Sequence, residues 1–360
     1  MIFDSPRMLE LLNAYENEPD FMVPEIVFLA RTDKLEAERA YLEELFVNAP
    51  AIKHKDWLGR LLSEDHEQFR SVWFEIMLYG WLLKIGSTEV EPIIEGNYPD
   101  YSVELNGKRV IVEARAILET APEREEMRFE AGIFWALKHI EKAYVVEVTG
   151  SRSSSKLPDW IDFQNRVALW LDTRPDDVFE YNDGLNVIVL KTSQIQPQNN
   201  NKTVSAFISP GMGRRITSEP IKRPLREKAH QHSKLRKAGY AYVIALYLES
   251  WFLSAEEVAK AWLGEEVWTV DFEKKEVVET SSDQSGIHFA GSEIRHTTVS
   301  GTLVFRSEWT ESEKSSYLRA WYVQNPFAKV SLDSTLFPVD ARYVVTDKSA
   351  KGFRMAWMKS

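Results

Sequence analysis

The chain has 360 residues and a formal net charge of −11, with 44% hydrophobic and 28% charged residues. This composition is ordinary for a soluble globular protein, and the net negative charge argues against indiscriminate coating of nucleic acid. The absence of cysteine excludes disulfides, thiolate zinc sites and a cysteine nucleophile.

The first part of the chain has helical periodicity. Met8–Tyr15 and Asp33–Phe46 repeat apolar residues at helical spacing, and a longer helix is expected over Asp65–Ile85. Within the apolar stretch Val72–Leu83 of that helix, Glu75 is the single charged residue. A helix that is apolar on all sides is buried, so this carboxylate needs a basic partner, a proton or a metal.

A hairpin follows this helix. Asp100–Leu105 and Arg109–Arg115 alternate polar and apolar residues on either side of the turn Asn106-Gly107, which is a strong hairpin signal. Asp100 lies near the start of the first strand and Glu113 near the end of the second. Two acids at one end of a hairpin can hold a divalent metal through hard oxygen ligands.

The remaining segments alternate between helices and strands. We expect helices over Glu123–Glu141 and Trp160–Leu171, and strands over Val90–Ile94, Tyr144–Val148, Asn186–Lys191, Val204–Ile208, Tyr242–Leu248, Val267–Phe272 and Thr298–Phe305. This order predicts an α/β fold with a central mixed sheet flanked by helices, N-terminal helices and a β-rich C-terminal portion. We expect a helical region at 1–62, an α/β core with a basic helix at 63–264 and a β-rich extension at 265–360.

A basic segment precedes the strand Tyr242–Leu248. Residues 211–240 contain nine basic and two acidic residues, a net charge of +7. Arg226, Lys228 and Gln231 in this segment are candidate nucleic-acid-binding residues, and Lys228 and Gln231 share a helix face from which they could reach a phosphate or a metal-bound water. The alternative is an ordinary solvated helix face.

The arrangement of three acids resembles a known family. Glu75 on a buried helix, Pro99-Asp100 entering a strand and Glu113-Ala114-Arg115 leaving the next resemble the PD-(D/E)XK, or restriction-endonuclease-like, nuclease superfamily. The resemblance covers roughly Glu67 to Val148. Two later segments, Leu225–His232 with the strand after it and Asn325–Ala328, resemble parts of uncharacterised bacterial proteins that carry such a core.

This resemblance implies a magnesium- or manganese-dependent nuclease that hydrolyses phosphodiester bonds. Asp100 and Glu113 would bind the metal and act in catalysis, Glu75 would assist as a metal ligand, and the carbonyl of Ala114 would be a further ligand. The resemblance implies nucleic acid as the partner, DNA rather than RNA, in restriction or phage defence. It is compatible with a homo-oligomer or with a partner protein of a defence system.

Arg115 departs from the family pattern, which usually has lysine at this position. Arginine cannot act as a general base, but it can clamp phosphate oxygens and stabilise transition-state charge. We therefore place Arg115 among the catalytic candidates and consider Lys138, Lys142 and Lys191 as lysines that could have taken over the missing role. A nuclease-like domain that binds nucleic acid or a protein without cleaving is the alternative, and an unrelated α/β protein is a third reading.

The sequence also predicts a location. The longest apolar stretch, residues 240–248, is too short to span a bilayer, and no signal peptide is recognisable at the amino terminus. We therefore expect a cytoplasmic protein that does not associate with membranes.

Overall fold

The computed structural model of the chain describes residues 1–152, 156–173, 175, 178–193, 203–208, 218–231, 239–250, 253–264, 266–271, 276–282, 285–290, 293–310, 315–349 and 352–359. The helices are α1 (Pro6–Ala14), α2 (Glu25–Arg31), α3 (Glu36–Asn48), α4 (Ala51–Leu61), α5 (His66–Leu83), α6 (Ala121–Lys138), α7 (Trp160–Thr173), α8 (Glu219–His230) and α9 (Ala255–Leu263), with 3-10 turns at Asp33–Leu35 and Ser334–Leu336.

The strands are β1 (Ser87–Val90), β2 (Tyr101–Leu105), β3 (Lys108–Ile117), β4 (Val145–Arg152), β5 (Phe179–Asn182), β6 (Asn186–Thr192), β7 (Ser205–Ile208), β8 (Ala241–Leu248), β9 (Glu266–Asp271), β10 (Glu276–Ser282), β11 (Phe289–Ala290), β12 (Glu293–Ile294), β13 (Gly301–Thr310), β14 (Ser315–Gln324), β15 (Ala341–Ser349) and β16 (Gly352–Lys359). None of the helices described is long and apolar enough to cross a membrane.

The chain forms two compact units that do not follow the expected domain boundaries. The first consists of Met1–Glu18, Val23–Leu118 and Ile216–Ser360, and the second of Pro19–Met22 and Glu119–Arg215. The helical region 1–62 and the extension 265–360 therefore lie mostly with the hairpin in the first unit. The parallel pairing of β13 with β8 joins the C-terminal segment to the strands next to the hairpin.

The first unit contains an eight-stranded mixed sheet in the order β1-β2-β3-β8-β13-β14-β15-β16. The β1-β2-β3 strands are antiparallel, and β8 then runs parallel to both β3 and β13. Further along, β13 and β14 are antiparallel, β14 and β15 are parallel, and β15 and β16 are antiparallel. The expected α/β class with a central mixed sheet flanked by helices and a strand-rich C-terminal region is thus confirmed.

Strand β8 lies in the interior of this sheet because all eight of its residues are apolar and buried. A strand that is buried on both faces has an apolar sequence without alternation. Its odd-numbered residues pack in one core with α5, for example Val243 and Tyr247 with Phe74. Its even-numbered residues pack in a second core with α8 and α9, for example Ile244 with Leu225. The two faces of the sheet are therefore covered by different helices.

Tyr144–Val148 and Asn186–Lys191, which were expected in the central sheet, belong to the second unit. There they form β4 and β6 of a separate four-stranded sheet in the order β5-β6-β4-β7. In β4, Val146 and Val148 are buried while the residues beside them are not, which suits a sheet with one covered face. The edge of β3 is instead paired with β8, because the fully apolar β8 is better suited to a position buried on both faces.

The expected strand Val90–Ile94 is shorter than the sequence indicates. The strand β1 ends at Val90, and only an isolated bridge joins Ile94 to Asn97. Glu91 and Glu95 have φ angles of 46° and 50°, in the left-handed region that interrupts an extended strand. The residues leading to Asp100 therefore form a turn rather than a strand.

Candidate metal and active site

The hairpin of β2 and β3 forms as the sequence predicts. Asn106 and Gly107 have φ angles of 49° and 76°, the pair of positive angles that a two-residue type I′ turn requires. The register pairs Leu105 with Lys108 and Tyr101 with Val112. Continuing this register by one residue places Asp100 opposite Glu113. The turn type therefore brings the two acids to the same level of the hairpin.

The alternation of side chains places both acids on the sheet face that α8 covers. Tyr101 and Val112 belong to the core that contains α5, whereas Ile111 belongs to the core that contains α8. Since successive side chains on a strand point to opposite faces, Asp100 and Glu113 lie on the same face as Ile111. They are thus presented to the basic helix α8.

Lys228 of α8 contacts both carboxylates. Its Nζ donates to Glu113 Oε2 at 2.8 Å and to Asp100 Oδ2 at 3.3 Å. Asp100 Oδ2 also accepts a hydrogen bond from the backbone N–H of Ala114 at 2.8 Å. The hydroxyl of Tyr242 on β8 donates to the carbonyl of Lys228 at 2.8 Å, which anchors this turn of α8 to the sheet. Two strands and a helix therefore converge on one group of charges.

The site becomes more buried from Asp100 to Glu113. The side chain of Asp100 is 34% exposed, that of Lys228 is 14% exposed, and that of Glu113 is 0% exposed. Burial and the charge of Asp100 raise the pKa of Glu113 to about 8, although Lys228 acts in the opposite direction. Burial lowers the pKa of Lys228, but the two carboxylates outweigh it and the net shift is upward. One ammonium thus compensates only part of the negative charge.

Arg115 is near this group but is engaged elsewhere. Its guanidinium lies 3.6 Å from Glu227 of α8, and both side chains are about half exposed. Of the other predicted nucleic-acid-binding residues, Arg226 is exposed on α8 and Gln231 is the exposed C-cap residue that follows His230 at the end of this helix. Among the described residues, no contact joins Arg115, Arg226 or Gln231 to the carboxylates of Asp100 and Glu113.

Glu75 is not brought together with Asp100 and Glu113. Its carboxylate is held by Arg60 of α4 through contacts of 2.8 and 3.1 Å, and it also accepts from Trp57 Nε1 at 3.3 Å. Among the described residues these three acids form no common cluster of ligand atoms. The carboxylate of Glu75, which is only partly buried, is therefore satisfied by a basic partner on the α5 side of the sheet.

The lysine at the site is Lys228 and not one of the three lysines considered as replacements. Lys138, Lys142 and Lys191 all belong to the second unit, and Lys142 donates to the carbonyl of Ala168 at 2.7 Å. The sequence signal for Lys228 is its place on the helix that leads into β8, the strand that pairs with β3. A helix in that position packs on the sheet between two parallel strands. The sequence alone does not reveal which strand would pair with β3.

The pair Asp100 and Glu113 fits a hard divalent cation. The two side chains offer carboxylate oxygens from adjacent strands, the ligand type that Mg²⁺ and Mn²⁺ prefer. Burial and the charge of Asp100 together raise the pKa of Glu113, and a cation bound between the two acids would favour the charged carboxylate. The donor set and the charge of the site are therefore both suited to a metal.

A second group, Glu25, His66 and Glu249, is the only cluster of three possible metal ligands among the described residues. His66 Nδ1 lies 2.6 Å from Glu25 and its Nε2 lies 2.9 Å from Glu249. The guanidinium of Arg70 contacts both carboxylates as well. Because Arg70 and a protonated His66 balance the two acids, this cluster is better explained as an ion-pair network.

Comparisons of the chain with known protein families, with curated proteins and with solved structures find no match. The resemblance to the PD-(D/E)XK superfamily therefore stays a prediction that depends on the residues of the hairpin and of the helices α5 and α8.

Proposed function

We propose that the protein is a metal-dependent nuclease that hydrolyses phosphodiester bonds in DNA. The observation that supports this proposal best is the convergence of Asp100, Glu113 and Lys228 on one face of the sheet. Burying the carboxylate of Glu113 beside a second acid is energetically unfavourable unless its charge is used or fully paired. Such perturbed groups are more frequent at functional sites than elsewhere.

Each residue would have a separate role in the proposed reaction. Mg²⁺ or Mn²⁺ held by Asp100 and Glu113 would polarise a phosphate and lower the pKa of a bound water. The ammonium of Lys228 can donate to a non-bridging phosphate oxygen and stabilise developing negative charge. The exposed guanidinium of Arg115 can clamp a neighbouring phosphate through two parallel hydrogen bonds. Exposed Arg226 and Gln231 would contact the nucleic-acid backbone further along.

A cleavage assay tests the proposal. Purified protein is incubated with DNA and with RNA, each in single- and double-stranded form, in the presence of Mg²⁺, Mn²⁺ or a chelator. We expect cleavage of DNA that requires the metal and is lost in Asp100→Asn and in Glu113→Gln. Glu104→Gln is the matched control, because Glu104 is an exposed acid of the same hairpin.

The outcomes separate the alternatives. Cleavage that persists in Asp100→Asn and Glu113→Gln, or in the presence of chelator, would contradict the proposed site. Binding of nucleic acid without cleavage, and without an effect of chelator, would favour the catalytically inert domain. Cleavage of RNA in preference to DNA would correct the substrate but leave the site in place.

A further inference from the structure

The position of Lys228 has a consequence for metal binding. Its Nζ lies 2.8 Å from Glu113 Oε2 and 3.3 Å from Asp100 Oδ2, so a single ammonium bridges the two carboxylates. The side chain is held in this direction because Tyr242 anchors the carbonyl of Lys228 and because Ala229 packs into the core beside it. The bridge is therefore built into the junction of α8 and the sheet.

A divalent cation bound by the same pair would be too close to this ammonium. Mg²⁺ and Mn²⁺ bind carboxylate oxygens at about 2.1 Å. A cation in contact with Glu113 Oε2 would then lie within about 5 Å of an ammonium that is 2.8 Å from the same oxygen. Glu113 is fully buried, so water screens this repulsion only weakly.

We propose that Lys228 competes with the divalent cation for the carboxylates of Asp100 and Glu113. Metal binding displaces the ammonium from this pair, and the displaced ammonium becomes available to a substrate phosphate. Lys228 thus acts as an internal counter-ion that weakens metal binding and links it to substrate contact. This inference rests on the proposed function for the identity of the site, and it adds what controls metal affinity there.

Calorimetric titration of the full chain with Mn²⁺ tests the competition. Lys228→Met removes the ammonium but keeps a long apolar side chain. We expect this variant to bind Mn²⁺ at least about tenfold more tightly than the wild type, because the ammonium of Lys228 no longer repels the cation at short range. The double variant Lys228→Met/Glu113→Gln should lose this gain, which assigns the metal to the carboxylate pair.

Lys222→Met is the matched control. Lys222 is another buried lysine of α8, but its ammonium contacts Glu219 at 2.6 Å rather than the two acids. Its substitution should leave the Mn²⁺ affinity at the wild-type value. An equal gain in Lys222→Met and Lys228→Met would show a general effect of charge and would overturn the proposal.

A second readout covers the case in which Lys228→Met is poorly folded. Lys228→Gln keeps a polar but uncharged and shorter side chain, and for both variants the thermal midpoint should rise more with Mn²⁺ than it does for the wild type. Unchanged Mn²⁺ affinity in both variants, or no Mn²⁺ binding by any form, would overturn the competition.

The test also separates this inference from the proposed function. Cleavage by the wild type together with unchanged Mn²⁺ affinity in Lys228→Met would overturn only the inference. Tighter Mn²⁺ binding by Lys228→Met together with no cleavage by the wild type would support the competition and contradict the nuclease.

Discussion

Raising the pH from 6 to 10 is expected to remove about 3 kcal/mol of folding stability through a single histidine, His66. This residue begins α5 and connects α2 to the end of β8. Its Nδ1 lies 2.6 Å from Glu25 and its Nε2 lies 2.9 Å from Glu249. Arg70, one turn further along α5, contacts both acids, and Tyr247 is a further titratable group near this network.

The magnitude follows from the shift in the pKa of His66. Burial acts to lower this pKa, but the hydrogen bonds and charges of Glu249 and Glu25 outweigh it and raise the value from 6.5 to about 9. A raised pKa in the folded state means that the stabilisation is complete below pH 6.5 and is lost as the pH rises through about 9. A difference of about 2.5 pKa units corresponds to about 3 kcal/mol.

The measurement is the free energy of unfolding in urea at pH 6 and at pH 10, for the wild type and for His66→Gln. Other groups titrate in this range in both proteins, so the informative quantity is the difference between them. We expect this difference to shrink by about 3 kcal/mol between pH 6 and pH 10. Glu249→Gln removes one partner of His66 and should reduce the effect.

A direct titration of the His66 imidazole by NMR checks the cause. If its pKa in the folded protein were close to 6.5, or if wild type and His66→Gln lost stability in parallel, the ion-pair explanation of this cluster would be refuted. A metal added at pH 7 should give no stabilisation through this cluster, because Arg70 and His66 already balance its two acids.

Three further predictions concern the fold. Gly107→Ala should lower the free energy of unfolding, measured in urea, by about 1 kcal/mol. A Cβ at this position meets no atom within 4 Å, so the cost comes only from the positive φ of 76°. An unchanged free energy of unfolding would contradict the I′ turn. Thr302→Val should lower the free energy of unfolding by about 2 kcal/mol. The buried N–H of Trp262 donates to the Thr302 hydroxyl at 2.8 Å and would lose this acceptor. An unchanged free energy of unfolding would refute this hydrogen bond as a stabilising contact. Thr120→Ala should reduce the stability of the second unit by about 1 kcal/mol in a thermal scan, since Thr120 caps α6, and an unaltered melting curve would show that the cap is not needed.

Part of the candidate site could be predicted from the sequence because it is local. The turn at Asn106-Gly107 fixes the register of the hairpin, and this register places Asp100 opposite Glu113. The position of Glu75 on a buried helix could also be predicted, because the apolar residues around it are adjacent in sequence. Its partner could not, because Arg60 lies on a different helix.

The assignment of strands to sheets was the least predictable feature. Val146 and Val148 of β4 and the residues of β8 all have the apolar character of strands. Only the tertiary structure decided that β8 pairs with β3 and that β4 joins the sheet of the second unit. The residues of a segment specify that it forms a strand. Which strand it pairs with depends on contacts between segments that are distant in sequence.

The sequence by itself determined the hairpin and the pair of acids at its end, because a two-residue turn and an alternating pattern act over a few neighbouring residues. Only the tertiary structure decided that Lys228 completes this group. That lysine is separated from Asp100 by 128 positions and from Glu113 by 115. Its contact with them depends on the packing of α8 against the sheet after β8 has paired with β3, and no local pattern encodes that packing.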